Sequence, residues 1–172
     1  MESNRFSFSM SRAARSTIAA ALFVAGSSAY AADADSNLAV GASIANACSI
    51  STAPIAFGAY DPVLKAQINT TGSVTVTCTN GASTFVKLGQ GLNAGTGSTD
   101  AVPVRRMASA GNFLPYSLST VVDQSVVWEM TTGVAHAGTG TATVLTVFGR
   151  IAAGVNVLAG TYADTVVARV TF

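Results

Sequence analysis

The chain has 172 residues, of which 49% are hydrophobic and only 10% charged, with a formal net charge of +1. That is one domain's worth of sequence. It is too apolar for an intrinsically disordered chain, and it lacks the basic footprint that nucleic acid or an anionic membrane surface demands.

Residues 1–31 read as an export signal. Arg5, Arg12 and Arg15 make a positive region, and Thr17 to Gly26 is an apolar stretch too short for a stable span. Ala29-Tyr30-Ala31 then supplies the small-x-small pattern of a cleavage site. Cleavage is placed after Ala31 or Ala32. Seven acidic and six basic side chains follow, a net charge near −1. No later segment is long and apolar enough to span a bilayer, so the mature chain is expected to be exported and soluble.

The next segment, Asn37 to Asn46, alternates. Leu38, Val40, Ala42 and Ile44 fall on one face of an extended strand, and Asn37, Ala39, Gly41 and Ser43 on the other. Gly and Ser give it little intrinsic preference for extension, so it is a strand in need of a partner sheet. The chain stops at Phe172 within a predicted strand. The leading strand therefore completes either its own sheet or a neighbour's.

Cys48 and Cys78 are expected to pair in an oxidising compartment. A metal pair fits poorly, with two thiols, no Cys-x-x-Cys spacing and a distant His136. Ser73 to Thr79 has the clearest two-residue period, with Val74, Val76 and Cys78 on one face and hydroxyl residues on the other. Asn80-Gly81 is a turn signal and Thr84 to Leu88 the return strand. Gly89 to Asp100 is a Gly-, Asn-, Ser- and Thr-rich loop. Val102 to Met107 is a short strand interrupted by Pro103, which predicts an edge. Phe113 to Leu118 and Val126 to Met130 are further strands, and Gly133 to Gly140 is a loop. Thr141 to Arg150 is long and apolar on both faces, as in a central strand. Ile151 to Leu158 carries a Gly-Val-Asn turn. Tyr162 to Phe172 closes the fold, with Val166, Ala168, Val170 and Phe172 on one face. About seven or eight short strands and no helical period favour a β-sandwich.

Chemistry-bearing residues are sparse. His136 sits among Ala135, Ala137 and Gly138 with neither nucleophile nor orienting partner, and reads as a solvated loop residue. The carboxylates are scattered, with Asp61 and Asp164 in turn or strand-start positions. The Gly-x-Gly pairs lack a following Lys and helix. Asn69-Thr70-Thr71 fits the glycosylation pattern, a weak signal beside bacterial-style export. Arg105-Arg106 reads as a solvated pair on the predicted edge, where charge discourages unwanted strand pairing. No catalytic, cofactor-binding or metal-ligating residues are expected.

Several blocks carry a family resemblance. They are Asn46-Ala-Cys48-Ser-Ile50, Ile55-Ala-Phe57-Gly-Ala-Tyr60-Asp61-Pro62, Gly72 to Cys78, Arg105-Arg106-Met107, and Leu114-Pro-Tyr116-Ser-Leu118. Val147-Phe-Gly149-Arg150-Ile151 and Ala159-Gly-Thr-Tyr162-Ala-Asp164 complete the series. In this order the blocks resemble the spore coat protein U domain, shared with pilins of the archaic chaperone–usher pathway, over nearly the whole mature sequence.

The resemblance implies an all-β, incomplete immunoglobulin-like sandwich, completed by donor-strand exchange. In such pilins a periplasmic chaperone lends the missing strand. An outer-membrane usher then exchanges it for the N-terminal extension of the next subunit. Carried onto this sequence, residues 32–45 are the donor extension and 46–172 the pilin domain. Leu38, Val40, Ala42 and Ile44 are the donor residues. Val166, Ala168, Val170 and Phe172 form the edge of the accepting groove. Ala42 is small for such a series and marks either a shallow pocket or a weak point. Head-to-tail exchange generates an open fibre. The implied role is a surface pilus subunit serving attachment or biofilm formation. It is not an enzyme, has no cofactor or nucleic acid, and has like subunits, chaperone and usher as partners. Two other readings fit the same sequence. One is a secreted spore- or cell-envelope coat protein whose leading strand closes its own sheet. The other is a carbohydrate-binding adhesin module using Trp128, Tyr116 or Tyr60.

Overall fold

The alternating run Val74, Val76, Cys78 lies at the centre of the sandwich: all three side chains are buried, and the hydroxyl residues between them face outward. This computed structural model describes residues 32–64 and 66–172; the predicted export signal lies outside the described residues. The strands are β1 (Cys48–Ala53), β2 (Ile68–Cys78), β3 (Ser83–Leu88), β4 (Arg105–Ser109), β5 (Asn112–Ser119), β6 (Val134–Ala137), β7 (Thr143–Ile151) and β8 (Ala168–Thr171). Five form one sheet in the order β1-β2-β7-β5-β4, and three form the other in the order β6-β3-β8. Every pairing is antiparallel. The all-β, two-sheet architecture expected from the sequence is the one observed.

The core between the sheets contains Val74, Val76, Val86, Leu88, Leu118, Trp128 and Val147. Residues 32–47 form no strand, and Leu38, Val40 and Ile44 are 86%, 89% and 87% exposed. The first ladder begins where Cys48 lies directly opposite Cys78 in the β1–β2 pairing, and the two form the expected disulfide across a sequence separation of 30.

Several local expectations are corrected. The Gly133–Gly140 segment is not all loop. Val134 to Ala137 forms β6 on the edge of β3, and His136 sits in it opposite Thr84, whose hydroxyl donates to the His136 carbonyl at 2.9 Å. Val126 to Met130 forms no ladder, only a bridge from Val127 to Ser119. Its backbone bonds go to several neighbours: Trp128 N–H to the Leu118 carbonyl, Met130 N–H to that of Asp100, and Leu88 N–H to that of Glu129. Burial of Trp128, 1% exposed with its indole N–H on the Val86 carbonyl, draws the segment across the sandwich. The predicted Val102 strand starts only at Arg105, beyond Pro103.

Arg105 and Arg106 are not a solvated pair. Arg105 is 2% exposed, and its guanidinium donates to the carbonyls of Gly89, Leu88 and Trp128 at 2.8, 3.0 and 2.7 Å. It thereby ties β4, at the edge of one sheet, to the end of β3 in the other. Burial lowers its pKa to about 10, against the attraction of Tyr116, Asp164 and Glu129, so it stays charged at neutral pH. Arg106 stacks over the Phe113 ring at 4.0 Å and donates to the carbonyls of Asn93 and Ala94.

Two outcomes follow for stability. Replacing Cys48 and Cys78 by Ser should lower the unfolding free energy by roughly 3–4 kcal/mol, read from urea denaturation of the purified protein. Arg105→Met leaves three interior carbonyls without donors and should cost about 3 kcal/mol in the same assay. Arg105→Lys should recover less than half of that, because an ammonium cannot span the guanidinium's fork.

Candidate functional site

Among the described residues the two sheets leave a seam open between β1 and the chain that ends in β8. On one side runs β1, hydrogen-bonded only to β2; on the other runs the chain from Tyr162 to Thr171, of which Ala168–Thr171 is β8. The single closing strand predicted over Tyr162–Phe172 is thus only partly a ladder, because it crosses between sheets. Ala163 exchanges both backbone bonds with Ala108 of β4, while the carbonyls of Thr165 and Val167 accept from Leu92 and Gly89 N–H. From there the strand continues onto β3.

This bonding pattern decides what faces the seam. Successive residues of an extended chain turn their backbone groups to opposite sides. Ala163, Thr165 and Val167 are bonded toward β4 and the 89–92 loop. The N–H and C=O groups of Asp164, Val166, Ala168 and Val170 therefore point into the gap. These are also the residues whose side chains turn inward and are half-buried, Val166, Ala168 and Val170 against the core. On the opposite rim Ala47 accepts from Thr79 N–H, so Cys48, Ile50 and Thr52 present their backbone groups to the gap. Both rims thus offer unpaired backbone above apolar side chains. Phe172, the last predicted groove residue, is 60% exposed and lies outside β8.

Two cavities line the seam. One of about 440 Å³ lies between Thr52–Ile55 and Tyr162–Val166, over Val74, Leu88, Leu118 and Val147. The second, about 580 Å³, shares Ile55, Phe57, Met107 and Tyr162 with the first and extends to Leu114, Ile151 and Leu158. Gly149 of β7 lets this wall pack closely, since a Cβ there would lie 3.0 Å from the Phe57 ring and 3.1 Å from an Ile55 methyl. Some Cα atoms of β1 and β8 approach within 8 Å, less than the roughly 10 Å of two ladder spacings, so a strand entering between them must part the rims.

One polar cluster lines the first cavity. The Tyr116 hydroxyl donates to Asp164 Oδ2 at 2.6 Å; Asp164 Oδ1 accepts from Asn93 N–H at 3.1 Å and from Asn93 Nδ2 at 3.0 Å. Burial first, and then the Asp164 carboxylate, push the Tyr116 phenol far above its ordinary pKa. The sequence placed Asp164 at a strand start without showing this role; its distance from Tyr116 in the chain hid the pair. The aromatic residues considered for sugar stacking are otherwise engaged: Trp128 and Tyr116 face the interior, and the Tyr60 hydroxyl donates to the Val155 carbonyl at 2.9 Å. Among the described residues no three His, Cys, Asp or Glu side chains gather as a metal would require.

The fold and this site define a class: an all-β sandwich with an open, apolar seam. The pattern of the spore coat protein U domain matches residues 34–169, and the chain belongs to that family. It is 42% identical over 167 residues to Protein U of Myxococcus xanthus, covering 90% of this chain and 93% of that protein. Among solved structures it resembles the CsuC–CsuE chaperone–tip adhesion subunit pre-assembly complex from archaic chaperone–usher Csu pili of Acinetobacter baumannii. That likeness has a TM-score of 0.50 and 22% identity over 75% of this chain, and it is one of fold; this chain spans 40% of the matched chain.

Tyr116→Phe should lower the urea-unfolding free energy by about 1–2 kcal/mol, since it removes a charge-assisted bond that holds the groove lip to β5.

Proposed function

We propose that this protein is a structural subunit of a surface pilus, joined to its neighbours by donor-strand exchange. The observation that carries the reading is the open seam, an apolar groove between two rims of unpaired backbone. The same chain also bears an exposed alternating segment that forms no strand. Residues 32–45 act as the donor, presenting Leu38, Val40, Ala42 and Ile44. Residues 46–172 act as the acceptor, with Val166, Ala168 and Val170 along its edge. Burying Leu38, Val40 and Ile44 offers roughly 4–9 kcal/mol of transfer free energy, and the rims supply ladder hydrogen bonds. Because donor and groove are different surfaces, copies join head to tail into an open fibre.

An empty groove of this kind is an aggregation hazard. A periplasmic chaperone that covers it before assembly, and an outer-membrane usher that exchanges it, fit this need. The fold's likeness to a subunit crystallised with its chaperone supports them as partners. The chain is then exported to the periplasm and displayed at the cell surface, where the fibre serves attachment or biofilm formation. Its role is structural, with no catalytic step. Membership of a spore coat family favours a second reading, an envelope coat protein that does not polymerise.

The two readings separate on a gel. Surface extracts run unboiled should show a ladder of multimers that collapses on heating; monomer alone would favour the coat protein. Deleting Ala32 to Ile44 should leave a subunit that still binds chaperone but forms no ladder. Leu38→Asp, Val40→Asp or Ile44→Asp should each reduce the ladder at least tenfold, by burying an unpaired charge in the groove. Normal fibres from these variants would show that this segment is not the donor.

A further inference from the structure

From the groove's charges and cavities we infer the direction and register of the joint between two copies, an inference that rests on the donor-strand reading. The donor of one copy runs antiparallel to the Tyr162–Thr171 chain of the next. Leu38 lies beside Ala168, Val40 beside Val166, Ala42 beside Asp164 and Ile44 beside Tyr162.

Direction is open on topology alone. β2 is antiparallel to β1, β3 returns from β2, and β8 is antiparallel to β3, so the two rims run in opposite directions. Any inserted strand is parallel to one rim and antiparallel to the other. Charge decides between them. At one end Asp164 is already held by the Tyr116 hydroxyl and Asn93 and faces the Arg105 cation. At the other end the exposed Arg169 of β8 lies opposite Lys87 of β3, so uncompensated positive charge gathers there. The donor segment is acidic only at its start, Asp33 and Asp35. Running antiparallel to β8 places that start at the basic end, with Asp35 diagonal to Arg169 on the outer face, within reach of a cross-strand pair. The opposite direction carries Asp33 and Asp35 away from these two cations.

Register follows from size. Sliding the donor by two residues keeps its apolar face inward, so only the fit of large and small side chains fixes it. The inward series of the acceptor is uneven. Ala168 leaves room, Val166 borders the first cavity over Val74, Leu88, Leu118 and Val147, and the Tyr116–Asp164 pair fills its end. Beyond it, Tyr162 borders the larger cavity with Ile55, Phe57 and Met107. The donor series large, large, small, large matches in one setting. Leu38 fills the space above Ala168, Val40 seals the first cavity, Ala42 clears the Tyr116–Asp164 pair, and Ile44 enters the second cavity. The small residue that looked like a weak point is thereby the one that sets the register.

The outer face gives a test that leaves this packing untouched. In the proposed register Ala39 lies directly opposite Val167, whose backbone groups point away from the gap. That is a non-hydrogen-bonded pair with Cα atoms about 4.5 Å apart, close enough for a disulfide. Cys48 and Cys78 bridge the same kind of pair, at 4.1 Å. The double variant Ala39→Cys, Val167→Cys should convert the heat-sensitive ladder into one that survives boiling and collapses with reductant. The controls Ala39→Cys with Thr165→Cys, and Gly41→Cys with Val167→Cys, test shifts of two residues in either direction and leave Arg169 in place. Both pairs should cross-link at least tenfold less, their Cα atoms being about 7 Å apart or more. All these positions are exposed, and an intact ladder under reducing, unboiled conditions shows that each variant assembles. Dominant cross-linking by a control pair, or by none while that ladder is intact, would overturn the register and leave strand exchange standing. Absence of any ladder from the unaltered protein would overturn strand exchange itself.

Discussion

A strand inside a sandwich must satisfy two sets of groups at once: side chains on its faces and backbone bonds along its edges. In the Tyr162–Thr171 chain these demands separate by residue. Odd-numbered positions bond laterally to β4, the 89–92 loop and β3, and the side chains of Ala163, Thr165, Val167 and Arg169 stay exposed. Even-numbered positions pack inward and aim their backbone groups at empty space. Everything distinctive about the molecule follows from that division, because the same residues that complete the core define the unpaired edge.

Such an edge is costly to leave open, and an apolar groove tends to close. The rims already approach within 8 Å in places. Apolar contacts alone would set no limit on this closure, since the hydrophobic effect has no direction. Hydrogen bonds do have length and direction. Arg105 holds β4 to the end of β3 through three carbonyls, and Tyr116, Asp164 and Asn93 hold the groove lip against β5. Both ties lie toward the end where the cavities are, and they keep the two sheets at a defined separation there. Neither side chain would be expected inside a sandwich on stability grounds alone, where a well-packed apolar group does as well.

Much of this was legible in the sequence. The two-residue period of Ser73–Thr79 is reproduced in the burial of Val74, Val76 and Cys78, and Cys48 pairs with Cys78 as the compartment argument required. What failed did so for tertiary reasons. Val134–Ala137 lacks a strand's usual composition and becomes β6 only because β3 offers an edge. Val126–Met130 has strand composition but is pulled from any ladder by Trp128 and its bond to Val86. Two adjacent arginines read as surface charge because charge is nearly always at the surface; only the carbonyls of Leu88, Gly89 and Trp128, remote in the chain, make a buried site for one of them. The inward alternation of Val166, Ala168 and Val170 was readable from the sequence, whereas the Tyr116–Asp164 pair was not, since nothing local links residues that far apart.

Under the strand exchange proposed above, the composition of the leading segment has a physical reason. A strand meant to fold into its own sheet gains from β-branched and aromatic residues on the path to the folded state. Asn37 to Asn46 has few of them, and Gly41, Ser43 and three alanines lower its tendency to pair with whatever edge it meets first. Weak intrinsic preference is then an advantage, because it leaves binding to depend on the fit of a few large side chains into a prepared groove. An affinity built that way discriminates among edges, where a strongly β-forming segment would not.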